Sequence, residues 1–340
     1  MAAEPGEEGI RAISSIAYGF MGSQALYSAL ELGVFTALSA GPRGGDDLAA
    51  GLGAAPGPFR ALLAALEALG LLEREGEGLY RNAEAAGTYL DGASRRYIGD
   101  YYLRQVAALL YPSAPAARAA VRGADAAPAD YFAFLDEPAR AEEFIRGQHN
   151  GSAGPAYLLA KRLDLSGSAR LLDLGGGSGV FAIEMVRRNP GLSAVVVDHP
   201  KVAAVAEKIV AEAGLSDRIA CAGGDALEGE WPPGGDVILL SYVISSYGEE
   251  ARASLLARAF AYLPSGGRLI VHDFALHGDR PGPRTSALWF FANLAISDAT
   301  HPHTAPGIAA ALAHAGFASV TAAPHIPDVT HLFTGRKEEG

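Results

Sequence analysis

The chain holds 340 residues, long for one compact domain, and its 49% hydrophobic and 19% charged content excludes a disordered chain. A formal net charge of −11 argues against a broad phosphate-binding face and against docking on an anionic membrane. The single cysteine, Cys221, excludes an internal disulfide and a cysteine zinc site; with no long apolar run and an acidic N-terminus unlike a signal peptide, the expected setting is cytoplasmic.

The N-terminal half reads as helical. Leu26, Leu30 and Val34 recur at helical spacing, with Gly33 near the helix end. Asp46 and Asp47 suit the start of a short helix over 48–52. A third helix begins near Pro58, carries Leu62, Leu66 and Leu69 on one stripe and ends at Gly70. Residues 71–81 then read as a β-hairpin around a glycine-containing turn. Three helices and a hairpin form a winged-helix pattern, which raises DNA binding. The charge opposes it: residues 1–100 hold 13 Asp/Glu and 7 Lys/Arg, a balance of −6, and the hairpin carries Glu73, Glu75 and Glu77. An apolar winged helix that buries its surface against a second copy is the alternative. Residues 85–165 read as further helices, with Tyr101, Tyr102, Leu103, Val106, Leu109 and Leu110 on an apolar face. The Ala/Pro-rich stretch 114–128 is a loop with a short helix, and a linking helix covers about 142–163.

The C-terminal half alternates strands with helices. Strands are expected at 170–174, 194–198, 218–222, 236–240 and 267–273, with closing strands at 319–322 and 329–333. Helices are expected at 180–188, 202–213, 249–263, 286–296 and 306–314. This is the pattern of an α/β fold with a doubly wound, mostly parallel sheet, which binds ligands at the carboxyl ends of its strands.

The strongest chemical signal lies at the first of those ends. Gly175-Gly-Gly-Ser-Gly179 follows a strand and precedes a helix, where bare backbone admits a ligand and helix N–H groups point at it. Asp173 precedes the loop. Asp198 ends the next strand, 19 residues past Gly179, where a carboxylate accepts both hydroxyls of a ribose. Asp225, after the third strand, is placed to meet an adenine amino group. Each has a plainer reading as a turn, cap or loop acid; their order along the chain points to a nucleoside cofactor.

Leu171-Leu-Asp-Leu-Gly-Gly-Gly-Ser-Gly179, Val197-Asp-His-Pro200, Gly223-Gly-Asp-Ala-Leu227 and Pro264-Ser-Gly-Gly-Arg-Leu-Ile270 resemble the successive motifs of class I S-adenosylmethionine-dependent methyltransferases. The chain as a whole resembles the small-molecule O-methyltransferases of the caffeic-acid and polyketide-tailoring type. That resemblance implies a Rossmann-like catalytic domain over 166–340 and a winged-helix dimerisation domain over 1–100, giving a homodimer that binds neither nucleic acid nor membrane. It implies a helical linker over 101–165 that contributes to the acceptor pocket. It further implies that Gly175 and Gly177 pass the methionine end of S-adenosylmethionine with Asp173 near its amino group. Asp198 would bind the ribose, Asp225 and Ala226 the adenine, and Ser241 and Tyr242 would lie near the sulfonium. Gln148, Ser152, Trp289, Phe290 and Asn293 would line the site of a small, aromatic or enolic secondary-metabolite acceptor. Trp289, Phe290 and Phe291 are consecutive and cannot share one helix face, so at least one belongs to the core.

One position departs from the family. Its segment Leu-Ser-Asn-Val-Leu-His-Asp-Trp supplies a His base, whereas this chain reads Leu240-Ser-Tyr-Val-Ile-Ser-Ser-Tyr247, with Ser245 in the His place. Serine is no base near neutral pH without a partner. Asp273 occupies the place of the acid that orients the His. His149 and Tyr247 are candidate replacements, with His272, His301 and His303 more plainly structural; no metal site is expected, since adjacent strand residues face opposite ways. An acceptor already ionised would need only proximity. Transfer to oxygen is the leading reading. Transfer to carbon or nitrogen, or a repurposed relative that keeps the cofactor for decarboxylation, hydroxylation or cyclisation, stays open.

Overall fold

The computed structural model describes residues 5–123, 135–297 and 302–338. They fall into two compact units divided between Leu103 and Arg104.

The first unit contains α1 (Pro5–Ala17), α2 (Gly19–Leu32), α3 (Val34–Ala37), β1 (Arg43–Gly44), α4 (Gly45–Gly51), α5 (Pro56–Ala68), β2 (Leu72–Glu75), β3 (Leu79–Asn82), α6 (Glu84–Tyr89) and α7 (Gly99–Tyr101). Gly33 adopts φ 74° and ends α2, as its position in the sequence suggests, because a left-handed residue closes the last turn. Val34 therefore starts a new helix instead of extending the Leu26–Leu30 stripe. The hairpin forms from β2 and β3, and β1 adds an edge to give the antiparallel order β1-β3-β2. On α5 the buried stripe is Phe59, Leu63 and Leu66; Leu69 is exposed. Arg60, Arg74 and Arg81 pair with Asp46, Glu67 and Glu73. On α1, Ile10, Ile13 and Ile16 are 60%, 65% and 73% exposed, an apolar stripe without cover.

A π-helical segment, Tyr102–Leu110, spans the division, where the sequence suggests an ordinary helix. The expected loop after it begins as α8 (Tyr111–Val121), helical in spite of Pro115; residues 124–128 of that stretch lie outside the described residues.

The second unit continues with α9 (Pro138–Arg162), β4 (Arg170–Leu174), α10 (Val180–Arg188), β5 (Ser193–Asp198), α11 (Pro200–Glu212), β6 (Ile219–Gly223), β7 (Val237–Ser241), α12 (Glu249–Tyr262), β8 (Arg268–Asp273), α13 (Arg284–Asn293), α14 (Ala305–His314), β9 (Ala318–Pro324) and β10 (His331–Arg336). The sheet order is β6-β5-β4-β7-β8-β10-β9, parallel from β6 to β8 and antiparallel through β10 and β9. Alternate residues of each strand serve two cores. Leu171, Val196, Leu239 and Ile270 join α9, α10 and α11 on one face; Leu172, Val197, Leu240 and Val271 join α12 and α14 on the other. Each fully buried Leu, Ile, Val or Phe contributes about 1.5–3 kcal/mol, so these two layers fix where the strand tips lie. Between β4 and β7 the strand order reverses, the place where such sheets take ligands. Among the described residues no single helix is long and apolar enough to cross a membrane.

Candidate active site

The loop between β4 and α10 is shaped by its glycines. Gly175, Gly177 and Gly179 adopt φ of 65°, 55° and 74°, a region L side chains rarely occupy. A side chain on Gly176 would meet Asp173 Oδ2 and Val196 at 2.8 Å, and one on Gly175 would meet Val243 at 2.8 Å, whereas Gly177 faces open space. The loop is pinned to the end of β5: the Gly175 N–H donates to Val197 O at 2.8 Å and the Gly177 N–H to Asp198 Oδ2 at 2.8 Å.

Three carboxylates surround this bend in different states. Asp173 is fully buried and neither of its oxygens is hydrogen-bonded. Burial, aided by the Asp198 carboxylate and opposed by the Ala182 backbone, pushes its pKa up to about 7. Asp198 is half-buried; its oxygens accept from Gly177 and from the His199 N–H at 2.7 Å. Burial raises its pKa and those two bonds oppose the rise. Each carboxylate oxygen offers two lone pairs, so one per oxygen remains for a diol. Asp225 is exposed and its Oδ1 closes the following turn, accepting from Leu227 at 2.6 Å and Glu228 at 3.1 Å, while half-buried Ala226 packs on the second core.

The segment after β7 lies against the bend, since Val243 is the residue that a side chain on Gly175 would strike. Ser241 does not offer its hydroxyl to open space. Its Oγ bonds His272 Nδ1 at 2.9 Å, and His272 Nε2 bonds Thr330 Oγ1 at 2.9 Å. His272 is fully buried, and burial, with His325 nearby, pulls its pKa down to about 3, so it is a neutral structural histidine. Tyr242 adopts φ 59°, a strained conformation for a bulky residue and one that collects at functional sites. Its N–H donates to His272 O at 2.8 Å, and its ring meets His272 at 4.7 Å and Phe274 at 5.2 Å. Phe274 in turn stacks on Trp289 at 4.8 Å and 21°. Tyr242, Phe274 and Trp289 thus form an aromatic row leading away from the bend.

Beside that row, Ser245 and Asp273 face each other, both buried. The Ser245 N–H donates to Asp273 Oδ2 at 3.1 Å and the Phe274 N–H to Oδ1 at 2.7 Å. Tyr247 is elsewhere. Burial raises its pKa, with the charges of Asp225 and Asp198 adding to the rise, so it stays a protonated phenol and is unsuited to act as a base. His149, on α9, brings Nδ1 to 3.2 Å from Ser178 Oγ in the glycine loop. Burial, with Arg146 and Arg187, lowers its pKa, so the ring is neutral at pH 7. Gln148 and Ser152 are half-buried and lie one helical turn apart on α9. Phe290 and Asn293, expected on the acceptor wall, are buried; Phe290 packs edge-on to His303 at 4.9 Å, so of the aromatic trio Trp289 is half-exposed, Phe290 is core and Phe291 points outward. His303 accepts at Nδ1 from Arg252 at 2.9 Å and so donates from Nε2 to Phe274 O at 2.9 Å. His301 lies outside the described residues. Phe274, Val243 and Thr330 were not singled out by sequence; Phe274 was signalled only by following Asp273, and Thr330 by nothing local.

Against known proteins, the O-methyltransferase domain family matches residues 126–318 and the O-methyltransferase dimerisation domain matches residues 14–92. The chain belongs to the O-methyltransferase family. It is 37% identical to the 3-hydroxy-5-methyl-1-naphthoate 3-O-methyltransferase of Streptomyces sahachiroi over 81% of this chain and 80% of that protein. It is 33% identical to the tetracenomycin polyketide synthesis 8-O-methyl transferase TcmO of Streptomyces glaucescens over 96% of each. The human N-acetylserotonin methyltransferase, solved in complex with S-adenosylmethionine, superposes with a TM-score of 0.84 at 25% identity, covering 99% of this chain and 100% of that one.

The chain is therefore an S-adenosylmethionine-dependent methyltransferase with a dimerisation domain. Its strand tips fit that cofactor. A buried carboxyl without a hydrogen-bond partner at Asp173 calls for a cation such as an ammonium group, and the open face of Gly177 beside Asp198 leaves room for a sugar.

Proposed function

We propose that the enzyme methylates a phenolic hydroxyl on a flat, fused-ring aromatic acceptor of secondary metabolism. The observation that carries this reading is the aromatic row Tyr242–Phe274–Trp289, which starts at the strained residue beside the glycine bend and passes the buried Asp273. The aromatic substrate named for the Streptomyces sahachiroi relative agrees with it. When bound, S-adenosylmethionine supplies an electrophilic methyl group on a sulfonium. Asp173 holds the ammonium of its methionine end, the backbone of Gly175 and Gly177 admits that end, Asp198 takes the ribose diol, and Asp225 with Ala226 borders the adenine. Tyr242, its ring packed on His272 and Phe274, would lie near the sulfonium, and Ser241 would hold Tyr242 in place indirectly through His272. Gln148, Ser152 and Trp289 line the acceptor side, and aromatic walls there exclude water from the reacting atoms. His149 belongs in this reading to the cofactor side, through Ser178. The domain division 1–100, 101–165 and 166–340 and a homodimer formed through the N-terminal domain are part of the proposal, as is a reducing, cytoplasmic setting suited to one free cysteine.

The test is incubation with methyl-labelled S-adenosylmethionine and a series of naphthols and hydroxynaphthoates. The expected product carries label as an aryl methyl ether. Label on ring carbon or nitrogen, or product formed without label, contradicts the reading.

A further inference from the structure

Methylating a hydroxyl requires a destination for its proton, and the structure removes most candidates. His149 is bonded to the glycine loop, His303 spends both ring nitrogens on Arg252 and the Phe274 carbonyl, His272 is sealed between Ser241 and Thr330, and Tyr247 stays protonated. One pair remains. The short 3-10 turn Ile244–Ser246 follows Tyr242 and Val243 and precedes Tyr247; Val243 lies against the bend, and Tyr247 feels the charges of Asp225 and Asp198. Its middle residue, Ser245, turns to Asp273.

We propose that Ser245 and Asp273 form a proton relay, in which Ser245 Oγ receives the acceptor's hydroxyl proton while its own proton passes to the Asp273 carboxylate. The inference rests on the methyl-to-oxygen reading above. Geometry supports it first. The Ser245 N–H donates to Oδ2 at 3.1 Å and the Phe274 N–H to Oδ1 at 2.7 Å, so the acid is fixed beside the aromatic row with Ser245 against it. Its state is suitable as well. Burial pushes Asp273 up to about 6, against the Ser245 hydroxyl and the Ser245, Phe274 and Ile244 N–H groups, so it is ionised at neutral pH yet a stronger base than a surface carboxylate. The charged and titratable neighbours are Arg252 on α12, which feels the Asp273 charge but donates to Tyr247 O and His303; His303 behind the Phe274 carbonyl; His272 on the opposite face of β8; and His331, paired with Asp273 in the β10 register.

The step balances. The sulfonium C–S bond breaks as the O–CH3 bond forms, the C–S electron pair stays on sulfur, the hydroxyl proton reaches Ser245 and the serine proton reaches Asp273. One positive and one negative charge disappear together, and in a site poor in water their mutual neutralisation favours the step.

The test compares Ser245→Thr with the isosteric Ser245→Val, using S-adenosylmethionine and naphthols of graded hydroxyl acidity. With 1-naphthol, a weak acid, Ser245→Val is expected to lose about 100-fold in kcat with cofactor affinity changed less than twofold, while Ser245→Thr keeps most activity; with a nitronaphthol already ionised at the assay pH the two variants should match. An independent readout needs no turnover. The infrared carboxyl band of Asp273, assigned by difference from Asp273→Asn, should titrate at higher pH in Ser245→Val and return in Ser245→Thr, because the hydroxyl bond is lost and restored. Equal rates for Val and Thr on 1-naphthol, or an unmoved Asp273 titration, overturn the relay and leave the methyl-transfer reading intact. A wild-type enzyme that methylates no naphthol while binding cofactor overturns that reading itself and the relay with it.

Discussion

Asp173, fully buried with neither oxygen hydrogen-bonded, is a stability liability. With its pKa raised to about 7 in the fold against about 4 in the open chain, its contribution to stability is complete below pH 4 and is lost as pH rises through 7. By pH 8 the penalty is roughly 4 kcal/mol. Asp173→Asn removes the charge but leaves a buried amide unsatisfied, at about 1–3 kcal/mol. Thermal unfolding of the cofactor-free variant should therefore occur at higher temperature than the wild type at pH 8, with the gap gone at pH 4, while cofactor affinity at pH 8 falls at least tenfold. A variant less stable than the wild type at pH 8 contradicts the assignment of that burden to Asp173. At this scale the sequence was readable where local order sufficed: Asp173, Asp198 and the glycines sit on strand ends that the pattern already marks. It was not readable where contacts join distant segments. Ser241 bonds His272, which in turn bonds Thr330 58 residues further along the chain, and nothing in their neighbours announces that.

At the scale of elements, the glycine bend does its work through backbone shape, and its glycines differ. Gly177→Ala meets no atom within 4 Å and incurs only the left-handed backbone cost, about 1–2 kcal/mol. Gly175→Ala incurs the same cost and also drives a methyl group to 2.8 Å from Val243, adding about 1–3 kcal/mol of overpacking. Denaturant unfolding of the cofactor-free protein should rank Gly175→Ala clearly below Gly177→Ala; equal losses would show that Val243 does not brace the loop. The strands around the bend were legible because central parallel strands read as unbroken Val, Ile and Leu runs between turn signals, and α10 falls on the residues its pattern marks. Helix boundaries elsewhere followed tertiary fit. Gly33 splits one apolar stripe into two helices, the buried face of α5 is Phe59–Leu63–Leu66 in place of Leu62–Leu66–Leu69, and the π-helical turn over Tyr102–Leu110 leaves no mark in side-chain periodicity.

For the whole molecule, the uncovered stripe Ile10–Ile13–Ile16 on α1 and the matched dimerisation domain argue for association between copies. Sedimentation of the wild type should give a dimer and Ile13→Glu a monomer or a much weaker dimer; an unchanged dimer would place the interface elsewhere. The winged-helix pattern and its acidic balance were visible in the sequence, but the open face of α1 was not, because exposure depends on what the rest of the fold leaves bare. Both the methyl-transfer reading and the relay require S-adenosylmethionine at the tips of β4, β5 and β6. Calorimetric titration of S-adenosylmethionine into the wild type and Asp198→Ala tests this most directly. The account predicts binding by the wild type and at least a tenfold weaker affinity in the variant, since a charge-assisted diol contact contributes about 1.5–3 kcal/mol. Equal affinity in both, or no binding by the wild type, would contradict it.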